Sequence, residues 1–172
     1  MMRVLHVGCG DQPLPSWIGV EGKVAIKETR IDIDAECQPD IVASMTDLGD
    51  IGEFDVVYNC HALEHLYPHE VPKALSEFHR VLAKNGHAFV IVPDLEGLSF
   101  TEDVLYETHG HPVTAIDMIY GKRDLIQASP HMAHHCGFTA SLLTDALQHA
   151  GFNHAQAHRA GNYNLMGVGK KE

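Results

Sequence analysis

The first residues that could hold a ligand follow a short apolar strand, Arg3 to Val7, which runs directly into Gly8-Cys9-Gly10. Glycines at such a turn let the backbone approach a ligand closely, at the carboxyl end of a sheet where open α/β folds bind. About twenty residues later stand Asp32 and Asp34. A carboxylate at the end of a second strand can accept both ribose hydroxyls of an adenosine. Asp32 is the preferred ribose ligand and Asp34 the fallback; the plainer alternative is that both merely cap the strand and its turn. A dinucleotide fingerprint needs a third glycine at position 13, where this chain has Pro13. Pro13 and Pro15 also oppose a helix directly after the turn, so a pyrophosphate would lack its helix N-terminus. The spacing therefore argues against NAD.

Histidine is abundant, with 14 in the chain. His61-Ala62-Leu63-Glu64-His65 matches H-x-x-E-H, in which two histidines on one helical face share a zinc and the glutamate acts as base. Here His61 follows a buried strand and no third-ligand motif is visible downstream, so a metal-dependent hydrolase is the weaker alternative. A second cluster, His131-Met132-Ala133-His134-His135-Cys136, could bind zinc, copper or nickel, together with His109 or His111. Its plain alternative is a set of solvated loop histidines, and no resident metal is expected. One of His134 and His135 could instead turn inward and touch a substrate. The histidine excess also predicts a charge that changes greatly between about pH 7 and 5.5.

Five apolar runs must position these groups: Arg3–Val7, Arg30–Asp34, Pro39–Ser44, Phe54–Asn59 and His87–Val92, the last closed by Pro93. Near-continuous apolar strands are those covered on both faces of a parallel sheet. Between the fourth and fifth, Val71, Ala74, Leu75, Phe78 and Leu82 recur at helical spacing, predicting a helix over 68–84 ended by Asn85-Gly86. A second helix starts near Thr139, with Leu142, Leu143, Ala146 and Leu147 on one face, and stops at Gly151. Two last strands, Asn153–His158 and Tyr163–Val168, flank the turn Ala160-Gly161-Asn162. The alternation predicts an α/β, doubly wound, mostly parallel sheet with a C-terminal antiparallel hairpin. Residues 101–132 read as a lid beside the site, with helical fragments at Ala115–Tyr120 and Asp124–Ala128.

The 172 residues make one domain, 1–172, with no linker or repeat. Acidic residues outnumber basic ones by 23 to 12, a formal charge of −11 that disfavours nucleic acid and anionic membranes as partners. The apolar runs are too short for a membrane span, and the amino end lacks a signal-peptide core. Four scattered cysteines without a C-x-x-C pair fit a reduced, cytoplasmic protein.

Val4-Leu5-His6-Val7-Gly8-Cys9-Gly10, Ile31-Asp32-Ile33-Asp34, Phe54–Tyr58, His61–Leu66 and Glu77–Gly86 occur in that order. Together they resemble the successive motifs of class I S-adenosylmethionine-dependent methyltransferases, of the small type 11 kind. Gly137-Phe138-Thr139 through Ala150-Gly151-Phe152 is similar to that family's closing helix and hairpin, so the resemblance covers most of the chain outside 101–132. It implies a Rossmann-like seven-stranded sheet and methyl transfer from S-adenosylmethionine to an acceptor, with a small molecule expected. Gly8, Cys9 and Gly10 would pass under the methionine part of the cofactor and Asp32 would hold the ribose. Ser44, Met45 and Thr46 would lie at the adenine, with Ser44 where the family often has an acid. Asn59, Cys60 and His61 would border the reacting methyl. His61 and His65 are the candidate general bases, and His65 packing between strand and helix is the plain alternative. The proline-rich 11–17 stretch departs from the family, which starts a helix there, so the first helix is expected to be short, displaced or absent. A fold of this kind that binds a nucleoside without catalysis is the remaining alternative.

Overall fold

The computed structural model describes residues 1–19, 22–108 and 110–172. Seven strands form one sheet: β1 (Met2–Val7), β2 (Ile26–Asp32), β3 (Ile41–Val42), β4 (Phe54–Cys60), β5 (Leu82–Pro93), β8 (Asn153–Ala160) and β9 (Asn164–Lys170). Their order is β3-β2-β1-β4-β5-β9-β8. All pairs from β3 to β5 are parallel, and β9 enters antiparallel between β5 and β8. The chain moves outward from β1 in both directions. This reversal opens a crevice at the carboxyl ends of β1 and β4, where α/β sheets bind ligands.

Helices α1 (Val71–Val81) and α4 (Ala140–His149) cover one face. Helix α1 buries Val71, Ala74, Leu75, Phe78 and Val81, while α4 buries Leu143 and Leu147, against Leu5, Val57, Ala88, Val90 and Leu165. Thr139 caps α4 by accepting the Leu142 N–H at 3.3 Å. Residues 101–132 contain a hairpin, β6 (Val104–Thr108) with β7 (His111–Thr114), followed by α2 (Ala115–Tyr120) and α3 (Arg123–Ala128).

Several boundaries differ from the sequence expectation. Helix α1 ends at Val81 because Leu82, fully buried, already pairs with Phe54 in β5. Asn85 does take a left-handed φ of +65°, but inside β5, where the register jumps from Phe54–Leu82 to Val56–His87. Strand β2 begins at Ile26 and ends at Asp32, and β3 is reduced to two residues.

The opposite face is covered thinly. With Pro13 and Pro15 removing backbone donors, the 11–19 stretch forms a single 3-10 turn, Ser16–Gly19. Trp17 from this turn meets Tyr58 and Phe89 edge-on, with ring centroids 6.0 and 5.1 Å away. A cavity of about 250 Å³ remains beside it, lined by Met2, Trp17, Ile18, Val56, His87 and Phe89.

His6 is 1% exposed on this face, and its Nδ1 lies 2.9 Å from Glu28 Oε1. Burial outweighs the pull of Glu28 and holds the His6 pKa below the ordinary histidine value. His79, on α1, is shifted down by burial and by Lys171. The unfolded chain therefore takes up these protons first as pH falls below about 6.5, so stability is full above that value and declines beneath it. The urea midpoint is expected to fall between about pH 7 and 5.5, and by less in His6→Gln. An equal fall in the variant would remove His6 as a cause.

Candidate functional site

The turn after β1 is held from three sides. The N–H groups of Gly8 and Cys9 both donate to Ile31 O, at 2.8 and 3.1 Å. Gly8 has φ +65°, and a Cβ placed there would lie 2.3 Å from the Cβ of Ala62, so only glycine fits against the segment that follows β4. Gly10, with φ +48°, has open space over its Cα. The Arg30 guanidinium donates to Gly10 O and to Gln12 O, fixing a loop that no helix stabilises. Sequence reasoning missed Arg30; a lone cation at the end of β2 was its only signal.

Asp32 ends β2 beside this turn. Its Oδ2 accepts the Gly10 N–H at 2.8 Å and its Oδ1 accepts the Asp34 N–H at 2.9 Å. Each oxygen keeps a further lone pair for a ligand. Asp34 instead caps the 3-10 turn Ala35–Cys37, accepting the Glu36 N–H at 2.9 Å. The next loop lies against Asp32, whose carbonyl accepts the Ala43 N–H at 3.0 Å. There the Ser44 and Thr46 hydroxyls bond each other at 2.9 Å, and Met45 packs against the core. Cys9 is buried, and burial pushes its thiol pKa up, so it stays neutral.

At the end of β4, Asn59 is fully buried. Its Nδ2 donates to Val7 O at 3.0 Å, while its Oδ1 has no partner among the described residues. Cys60 is half-buried, with its thiol pKa also raised by burial. His61 has φ +50°, a left-handed conformation that costs a non-glycine residue energy and is found at functional sites. Its N–H donates to Ile91 O at 2.8 Å, and its ring, 42% exposed, places Nδ1 3.3 Å from Glu64 Oε1. Burial works against the His61 cation, yet the bond to Glu64 and its charge prevail and raise the His61 pKa. Glu64 is 1% exposed; its own burial penalty is outweighed by His61, His65 and His134, which keep it ionised.

The histidine clusters rearrange relative to expectation. Leu63–His65 is one 3-10 turn, so His61 and His65 do not share a helical face. The His65 ring donates Nδ1–H to Ala133 O at 3.1 Å. Of the later cluster only His134 faces Glu64 and His65, its ring centroid 5.0 Å from that of His65. His135 stacks on Tyr67 at 4.3 Å, His131 is exposed in the 3-10 turn Pro130–Met132, and His111 is exposed on β7. His109 lies outside the described residues. The Cys136 thiol, pushed up to about 12 by burial and by Glu64, stays protonated near the Leu63 and Glu64 carbonyls.

A family profile described as a methyltransferase domain matches residues 1–157. The chain belongs to this family. Among solved structures, a SAM-dependent methyltransferase from Archaeoglobus fulgidus superimposes with TM-score 0.66 at 13% identity, over 99% of this chain and 86% of that one. A candidate O-methyltransferase from Nostoc punctiforme gives 0.67 at 15%, over 99% of this chain. This chain spans about half (52%) of the Nostoc protein. The 1,6-didemethyltoxoflavin-N1-methyltransferase of Burkholderia thailandensis, solved with that compound and S-adenosylhomocysteine, gives 0.60 at 17%, over 99% and 71%. No curated protein matches the sequence. For a methyltransferase domain of this kind the cofactor is S-adenosylmethionine. The residues present fit it: the turn is open over Gly10, Asp32 retains acceptor capacity, and Asn59 presents a buried, unpartnered oxygen. No helix among the described residues is long and apolar enough to cross a membrane.

Proposed function

We propose that this chain transfers the methyl group of S-adenosylmethionine to a small-molecule acceptor. The observation that carries this reading is the Gly10–Asp32 hydrogen bond, which sets a strand-end carboxylate and an open glycine turn side by side at the carboxyl ends of the neighbouring strands β1 and β2. Gly8, Cys9 and Gly10 lie under the methionine moiety, Asp32 accepts the ribose hydroxyls, and Ser44, Met45 and Thr46 bound the adenine. Asn59, Cys60 and His61 border the methyl.

The bound cofactor supplies an electrophilic methyl on a sulfonium whose departure leaves a neutral thioether. Alignment of the acceptor with that methyl supplies much of the rate, and the residues after β4 provide it. Glu64 Oε1 beside His61 Nδ1 orients the imidazole, so His61 Nε2 is the nitrogen that takes an acceptor proton, worth roughly 10²–10⁴-fold. Segment 101–132 serves as the lid and carries specificity. The acidic surface favours a small acceptor over nucleic acid, and among similar folds one enzyme acts on 1,6-didemethyltoxoflavin and another on N-acetylserotonin. Four free cysteines support a cytoplasmic setting.

Isothermal titration with S-adenosylhomocysteine, beside NAD, tests the reading. S-adenosylhomocysteine alone is expected to bind, and Asp32→Ala to weaken it by about a hundredfold, as loss of two charge-assisted hydrogen bonds predicts. Because Asp32 also ties the turn, Asp32→Asn, which keeps an acceptor oxygen, is expected to fall between. Unchanged affinity in Asp32→Ala would sink the ribose assignment. Tight binding with no methyl transferred to any acceptor would make the chain a binding domain instead.

A further inference from the structure

We infer that Glu64, His65 and His134 form a binding site for a divalent transition metal of the zinc type, joining the turn after β4 to the segment that follows residues 101–132. One ligand atom from each residue lies within 4.8 Å of the other two. The ring nitrogens are arranged for ligation. His65 donates Nδ1–H to Ala133 O at 3.1 Å and His134 donates Nδ1–H to Met118 O at 3.0 Å. Both rings are thereby fixed in the tautomer that leaves Nε2 with its lone pair. This carbonyl-anchored arrangement is how ligating histidines are oriented.

Glu64 provides the independent observation. Its side chain is 1% exposed; Oε1 bonds His61, but Oε2 is fully buried and has no hydrogen-bond partner among the described residues. A buried carboxylate oxygen left unpaired is costly, and a cation is the partner that removes the cost. Two neutral imidazoles and one carboxylate suit zinc and its neighbours rather than calcium or magnesium, which take oxygen. The Cys136 sulfur lies 3.7 Å from the Leu63 and Glu64 carbonyls and is not one of the three clustered ligand atoms. Three protein ligands leave a coordination position for water or for an oxygen-bearing ligand.

The site draws Glu64 and His65 from the first histidine cluster of the sequence and His134 from the second. It shares Glu64 with His61 yet none of its ligands with the glycine turn or Asp32, so it stands or falls apart from cofactor binding. Zinc held here would clamp residues 133–136 onto the turn 63–65, where the His135 and Cys136 N–H groups already donate to Glu64 O at 2.9 and 3.2 Å.

The test uses the full chain, stripped with a chelator and titrated with zinc, with cobalt as the spectroscopic probe. Close to one tight equivalent is expected, with visible cobalt bands of a nitrogen–oxygen site and a urea midpoint that rises with zinc. Glu64→Gln and His134→Ala are each expected to weaken binding at least tenfold to a hundredfold and to abolish the midpoint shift. His131→Ala and His135→Ala should bind as the parent does. His134 is partly exposed, so His134→Ala remains informative should Glu64→Gln fold poorly. Substoichiometric zinc, or equal affinity in parent and His134→Ala, would overturn the site. S-adenosylhomocysteine affinity, measured in parallel, is expected to survive His134→Ala.

Discussion

Gly8→Ala is expected to abolish measurable S-adenosylhomocysteine binding and to destabilise the domain by roughly 2–5 kcal/mol. Two physical costs coincide at this residue. The φ of +65° is a conformation that an alanine pays for, on the order of 1–2 kcal/mol. The added methyl would also lie 2.3 Å from the Ala62 Cβ, inside any tolerable contact, so either the turn or the segment after β4 must move. Either shift breaks the site, because the turn carries the Gly10 N–H that Asp32 binds and the Ala62 segment carries His61 and Glu64. The double variant Gly8→Ala/Ala62→Gly separates the two costs. It removes the collision and leaves the φ strain, so about half the lost stability and a measurable affinity should return, an interaction energy of the size expected for residues in contact. No recovery in the double variant would show that backbone conformation alone requires the glycine.

Phe78→Ala is expected to cost about 3–5 kcal/mol, a substantial share of the stability of a domain this size. Phe78 is fully buried on α1, among Leu75, Val81, Leu82, Leu143 and Leu147 in the main core. Its removal opens a cavity under both helices of that face, and the sheet beneath is too rigid to fill it. The thermal midpoint should fall by roughly 10 °C, at 2–4 °C per kcal/mol for a chain of this length. The exposed apolar residue Leu142, on the outer side of α4, gives the contrast: Leu142→Ala should change the midpoint by far less. Comparable losses in the two variants would refute the burial argument.

The central fold was legible because the strands that matter most are buried on both faces. Apolar runs stand out at Val4-Leu5 in β1, Val56-Val57-Tyr58 in β4 and Ala88–Val92 in β5, and α1 carries a clean stripe through Ala74, Leu75 and Phe78. The edges were harder. In β2, Lys27, Glu28 and Thr29 precede the apolar Ile31, so its first half lacks a strand signature. The β6–β7 hairpin was hidden by Pro112 and by partly exposed residues on both strands. At the site, the glycine turn and Asp32 could be found by spacing, since parallel strands bring their carboxyl ends into line. The meeting of Glu64 and His65 with His134 could not. His134 reaches them by the path of residues 101–132, and its anchor, Met118 O, is a backbone atom with no sequence signature.

The position of β9 also dictates an order of assembly. Strand β8 precedes it in the chain, yet β8 joins the sheet through β9, and of these two strands it is β9 that pairs with β5. The β8–β9 hairpin closes over a short turn, a local contact that forms on the microsecond scale. The β5–β9 pairing must close a loop that contains β6, β7 and helices α2 to α4, a non-local contact of the kind that slows folding. The hairpin therefore adds to the sheet as a preformed unit. Until it does, β5 presents an unpaired apolar edge, the part of the folding chain most open to association with another copy.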